Sequence, residues 1–164
     1  MPTENPDPYP PKLDSYLNNP TVTGKIGAQS TWQETNYGVF NLFGTTGDWI
    51  RSSSPDLELV INAGVRTVIY DGDADYICNY MGVEAMVRAL NTVYSPLYAS
   101  QNFSTYNVKG KPAGLYKNAG LFSYLRVYGA GHEVPAYQWR GVPSGAAALQ
   151  MFTQIMSGKP LSST

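Results

Sequence analysis

Histidine and cysteine are nearly missing from this chain of 164 residues: it has one of each, His132 and Cys78. A lone cysteine excludes a disulfide within the chain, and it says nothing about the compartment. One histidine without clustered ligands also excludes the usual zinc patterns, so no metal and no cofactor is expected. Charge is scarce too, at 14% of residues with a net charge of −1. Nothing in this balance favours nucleic acid or an anionic membrane surface. No apolar run approaches the roughly 20 residues of a membrane span. A basic patch followed by an apolar core, the mark of a secretory signal, is absent from the start.

What remains is an ordinary globular composition, 43% hydrophobic, long enough for one domain and one core. Residues 1–20 carry Pro2, Pro6, Pro8, Pro10, Pro11 and Pro20. Proline removes backbone donors and fixes extended conformations, so this stretch is expected to be a linker or arm. Residues 21–164 are expected to form the folded part. Trp32, Tyr37, Phe40 and Phe43 are candidate burial points ahead of a turn at 44–47. Ser54-Pro55-Asp56 predicts a helix start, with serine as N-cap and proline at the first position. Gly64 ends that helix.

Val65 to Tyr70 is a short β-branched run that predicts a buried parallel strand. Val83 to Val93 has helical spacing. Ser104 to Val108 and Gly114 to Tyr116 flank Lys109-Gly-Lys-Pro112 and predict a β-hairpin. Leu121 to Tyr128 predicts another strand, and Ser144 to Ser157 a terminal helix. Helix, strand and helix in alternation make this an α/β chain. Thirteen tyrosines suit pocket walls and interfaces.

The chemistry sits at two strand ends. Asp71-Gly-Asp-Ala-Asp75 follows the first strand, and Gly129-Ala-Gly-His132 follows the last. An acid past one strand and a histidine past a later one is the order of the last two members of a hydrolase triad. The acid fixes the imidazole tautomer and stabilises its charged form. Spacing alone does not choose among Asp71, Asp73 and Asp75.

Val68-Ile-Tyr-Asp-Gly-Asp-Ala-Asp-Tyr-Ile-Cys-Asn79, with Gly82 and Glu84-Ala85, resembles the aspartate motif of the serine carboxypeptidases. Val127-Tyr-Gly-Ala-Gly-His-Glu-Val-Pro135 resembles their histidine motif. Ala148 to Phe152 and Ser157 to Leu161 are similar to the family's closing helix. Tyr16 to Pro20 and Thr45 to Gly64 resemble the region after its helical insertion. The resemblance implies the C-terminal part of an α/β-hydrolase fold: a few strands, flanking helices and a β-hairpin. It puts the triad acid on Asp75 and the base on His132, and it makes Cys78 and Glu133 substrate-binding residues beside the leaving residue. Tyr76 and Tyr80 are expected to be packing residues.

The family's nucleophile lies in Gly-x-Ser-x-Gly, and no such pattern occurs here. Ser30, Ser52, Ser53 and Ser54 precede Asp75 without the glycine frame. The resemblance therefore implies a peptide substrate and a partner, an N-terminal chain or segment carrying the serine. This chain alone is expected to be inactive. The family also implies a secreted or vacuolar/lysosomal setting, and Asn102-Phe-Ser104 is an N-glycosylation sequon. Two rival readings are an acyltransferase on the same fold and a truncated relative that only binds or regulates.

Overall fold

The computed structural model describes residues 12–164, which fall into two compact units, 12–52 and 53–164. Most of the expected arm, residues 1–11, lies outside the described residues.

The smaller unit contains three short helices, α1 (Leu13–Leu17), α2 (Pro20–Ile26) and α3 (Tyr37–Thr45), and a 3-10 turn at Asp48–Ile50. Asparagine side chains start two of them. Asn19 accepts from the Thr21 N–H ahead of α2, and Asn36 accepts from Gly38 and Val39 ahead of α3. None of these helices has a buried residue. Tyr37, Phe40 and Phe43 are therefore exposed, against expectation, and Trp32 is only half-buried. What packing they have is mutual: the Phe40 ring meets Trp49 edge-on with centroids 4.2 Å apart.

The larger unit is built on a four-stranded sheet. Its strands are β1 (Thr67–Gly72), β2 (Ser104–Val108), β3 (Lys111–Ala119) and β4 (Phe122–Val127), in the order β1-β4-β3-β2. β1 and β4 run parallel, and the other pairs are antiparallel. The hairpin between β2 and β3 turns at Lys109 and Gly110, both with positive φ, the geometry of a type I′ turn. Helices α4 (Ser54–Asn62), α5 (Tyr80–Ala89), α6 (Ser95–Ser100) and α7 (Ala146–Met156) flank the sheet.

Alternation along β4 explains the packing. Phe122 and Tyr124 point to one face, against Ile61, Val87, Leu90 and Tyr98 from the helices α4, α5 and α6. Leu125 and Val127 point to the other, against Ala147 and Met151 of α7 and against Leu161. With both faces covered, the strand is buried at every position except the partly exposed Arg126. Full burial of a side chain such as Leu125 contributes about 1.5–3 kcal/mol.

Some boundaries move. Ser53, not Ser54, is the N-cap of α4, and Ser54 and Pro55 form its first turn. The second helix begins at Tyr80, because the Asn79 side chain caps it through the Gly82 N–H. Val93 is left outside it and exposed.

The two edges of the sheet differ. Among the described residues no strand lies on the outer side of β1. The outer side of β2 is covered by residues 161–164. Thr164 donates its N–H to Asn107 O, and its own carbonyl accepts from Gly110. The Ser163 hydroxyl donates to Thr105 O and accepts from the Asn107 N–H.

Candidate active site

The site lies where the loops after β1 and β4 meet. Two backbone bonds and one to a side chain join these segments: Asp73 N–H to Val127 O, Ala74 N–H to Ala130 O, and Gly129 N–H to the Asp73 carboxylate at 2.7 Å. Gly72 makes the approach possible. A Cβ there would collide with the backbone carbonyl of Ala130. Gly129 turns the chain with φ +64°.

Each of the three aspartates has its own partner. Asp71 is 5% exposed, and both of its carboxylate oxygens accept from the Tyr124 hydroxyl, at 3.0 and 3.1 Å. Asp73 holds the Gly129 N–H. Asp75 Oδ2 lies 2.9 Å from His132 Nδ1. The other oxygen, Oδ1, accepts from the Ile77 and Cys78 N–H groups at 2.9 and 3.2 Å. That arrangement leaves the carboxylate no freedom to rotate away from the imidazole.

Burial pushes the Asp75 carboxyl up, but the His132 hydrogen bond, the two backbone donors and the imidazolium charge outweigh it. The carboxyl is held below its ordinary value. His132 is raised by the same hydrogen bond and by the Asp75 charge. The acid side chain is 6% exposed and the imidazole 53%. With Nδ1 held by Asp75, Nε2 is the nitrogen left to take a proton.

Cys78 is exposed, not a buried hydrophobe, so its thiol is open to solvent beside the acid loop. Glu133 follows the histidine and accepts from the Tyr137 hydroxyl at 3.2 Å. Tyr76 is 93% exposed, which corrects the expectation that it packs. Tyr80 does pack, with the Arg126 guanidinium 4.5 Å over its ring. Asp75, Cys78 and His132 place one possible donor atom each within 4.8 Å of one another. An ion there would compete with the acid–imidazole bond for the same atoms.

Beside the site is a buried polar cluster that the sequence did not reveal. Tyr124 also reaches Glu84 at 3.4 Å, and Glu84 pairs with Arg126 at 3.1 Å and with Arg88 at 3.4 Å. Arg126 Nε is buried with no hydrogen-bond partner among the described residues. Burial, with Glu84 nearby, pushes Asp71 up to about 6 despite the Tyr124 bond. The sequence places Asp71 in the loop after a strand ending at Tyr70, whereas β1 runs on through Asp71 to Gly72 and so carries that carboxyl into the sheet.

Comparison with known proteins bears on the family and the fold. The family model for serine carboxypeptidase matches residues 2–158. Carboxypeptidase S1 of Penicillium janthinellum is 43% identical over 159 residues, which is 96% of this chain and 36% of that protein. Carboxypeptidase Y of Schizosaccharomyces pombe is 38% identical over 147 residues, 89% of this chain and 14% of that one. The chain thus spans about a third or less of these relatives. Among solved structures, the prohormone-processing carboxypeptidase Kex1 of Saccharomyces cerevisiae superposes with a TM-score of 0.64. That match has 20% identity and covers 89% of this chain and 31% of the other, and it supports the α/β-hydrolase fold. The chain belongs to the serine carboxypeptidase family.

Proposed function

We propose that this chain supplies the acid and the base of a serine-type carboxypeptidase whose nucleophile lies on polypeptide outside this sequence. In that reading Asp75 orients His132. Nε2 of His132 takes the serine proton during attack on the peptide carbonyl, then returns a proton to the leaving amino acid. The observation that carries this is the 2.9 Å bond from His132 Nδ1 to a carboxylate whose second oxygen is held by two backbone N–H groups. Cys78 and Glu133 are proposed to border the subsite for the leaving residue. By itself the chain lacks the serine and its oxyanion donor, which typically contributes about 10²–10³ in rate.

The proposed partner is an N-terminal chain or segment carrying Gly-x-Ser-x-Gly, and the proposed substrate is a peptide. A secreted or vacuolar setting is part of the same proposal. Asn102 supports it, being exposed in the loop just before β2 where a glycan would have room.

The test is reassembly. The chain is coexpressed with a segment bearing the nucleophile motif and assayed for release of the C-terminal residue from a blocked dipeptide. The expected result is activity that falls by several orders of magnitude on His132→Ala. Activity that survives that substitution would sink the proposal. An acyl-glucose ester, run in parallel, separates an acyltransferase from a peptidase.

A further inference from the structure

A second concave site lies at the same end of the sheet, and the acid–base pair does not use it. It is a cleft of about 570 Å³ lined by Asp73, Lys111, Pro112, Tyr128, Trp139 and Arg140. Its wall is a minimal hairpin. Trp139 and Val142 exchange two backbone hydrogen bonds, at 3.0 and 2.7 Å. The two residues between them, Arg140 and Gly141, have φ of 41° and 82°. Positive φ at both positions is a type I′ turn, for which asparagine followed by glycine is the favoured pair. Arginine is a costly choice there, since non-glycine residues are uncommon in this region.

Several features hold the arginine head in place. Its guanidinium lies 4.7 Å over the Trp139 ring. The indole lies against Gly129, where any Cβ would strike it. Lys111 Nζ donates to Gly141 O at 3.0 Å and pins the turn from below. The result is two cations at one cleft. Among the described residues neither Arg140 nor Lys111 forms an ion pair, and no hydrogen bond uses the Arg140 fork. Asp73 is the one acid in the lining, and it is already engaged by the Gly129 N–H.

We infer that this cleft is a carboxylate site that takes an acidic side chain of an extended peptide. A planar, pre-oriented guanidinium with free donors suits bidentate binding of a carboxylate. Lys111 adds a second charge, and Tyr128 and Pro112 give apolar contact for the methylenes of a glutamate. Its use for substrate rests on the carboxypeptidase reading above, and the binding itself does not.

The experiment titrates the full chain with an acetylated, amidated peptide rich in glutamate and with its glutamine twin. Tryptophan emission and calorimetry are the readouts. The expected result is saturable binding of the glutamate peptide, about tenfold tighter than the twin. Arg140→Asn removes that preference while leaving the melting temperature unchanged or higher, because asparagine favours the turn. Lys111→Met weakens it in the same direction. Equal affinity for the two peptides, no binding, or a preference that survives Arg140→Asn overturns the inference. The capped peptides offer no free C-terminal residue to release, so failure here leaves the carboxypeptidase reading intact. Conversely, an inactive reassembled enzyme that still prefers glutamate would leave this site standing.

Discussion

The hydroxyl of Tyr124 donates to both carboxylate oxygens of Asp71, at 3.0 and 3.1 Å, inside the sheet and four positions before the acid that meets the histidine. The charged groups around it come from two further places: Glu84 from α5, with Arg88 one turn along the same helix, and Arg126 from β4. One tyrosine proton serves two carboxylates, so the cluster is easiest to satisfy when one of them is protonated.

Stability is therefore expected to rise toward acid pH. Burial, first, and then Glu84 raise Asp71 from 3.8 to about 6, against the Tyr124 and Arg126 contributions. A raised folded-state value means the contribution is full below about 3.8 and is lost as pH climbs through about 6. The difference is on the order of 2–3 kcal/mol. Thermal melting at several pH values checks it. Asp71→Asn is expected to flatten the curve between those limits, and an unchanged slope in that variant would refute the assignment.

His132 gives a clean spectroscopic readout because it is the only histidine. Its imidazole is expected to titrate above 6.5, held up by the Asp75 hydrogen bond and charge. Asp75→Asn is expected to bring it back toward that value in an NMR titration. Asp75 itself is lowered, so the pair's stabilisation is lost as pH falls through the depressed carboxyl value. It is also lost as pH rises through the raised imidazole value, leaving a plateau between the two.

Gly72→Ala is expected to damage the site without touching either partner. The new Cβ would meet the Ala130 carbonyl, which is backbone and cannot rotate aside. Overpacking of this kind costs roughly 1–3 kcal/mol. Separation of the loops would also show as a drop in the His132 titration point. Wild-type melting and wild-type titration together would disprove the close approach.

The side of β1 on which no strand lies among the described residues is expected to make the isolated chain associate. Unpaired backbone groups on an edge strand are a template for another strand. Sedimentation over a range of concentrations is the check. A cooperative, concentration-independent monomer would contradict this expectation.

Much of the larger unit was legible in the sequence because its signals are local. The β2–β3 hairpin is legible in Lys109-Gly-Lys-Pro112, although Lys111 and Pro112 belong to β3. β1 and β4 are legible in β-branched and apolar runs, although β1 is shifted to Thr67–Gly72 and leaves Val65 and Tyr70 exposed. The acid and the histidine were legible as loops after those strands. The choice of Asp75 came only from the family motif, since three aspartates at alternate positions look alike until their partners are known. The Asp71–Tyr124–Glu84 cluster was not legible, because its members are 40 and 53 residues apart in the chain. Tyr37, Phe40 and Phe43 misled for the opposite reason. Aromatic residues read as core, but burial depends on what packs against them, and composition does not supply that. The Asn36 cap of α3 and the Asn19-Pro20 start of α2 are local helix-start signals of the kind that a sequence does carry.

The tail that runs along β2 has a consequence for symmetry. With Ser163 and Thr164 occupying the donors and acceptors of that strand, the sheet can extend in one direction only. Two copies meeting through strands must then join like edge to like edge, β1 to β1. Such a contact is self-complementary and closes on itself after one step. Among the described residues, strand-mediated assembly is thus limited to pairs, with no second open edge from which a filament could grow.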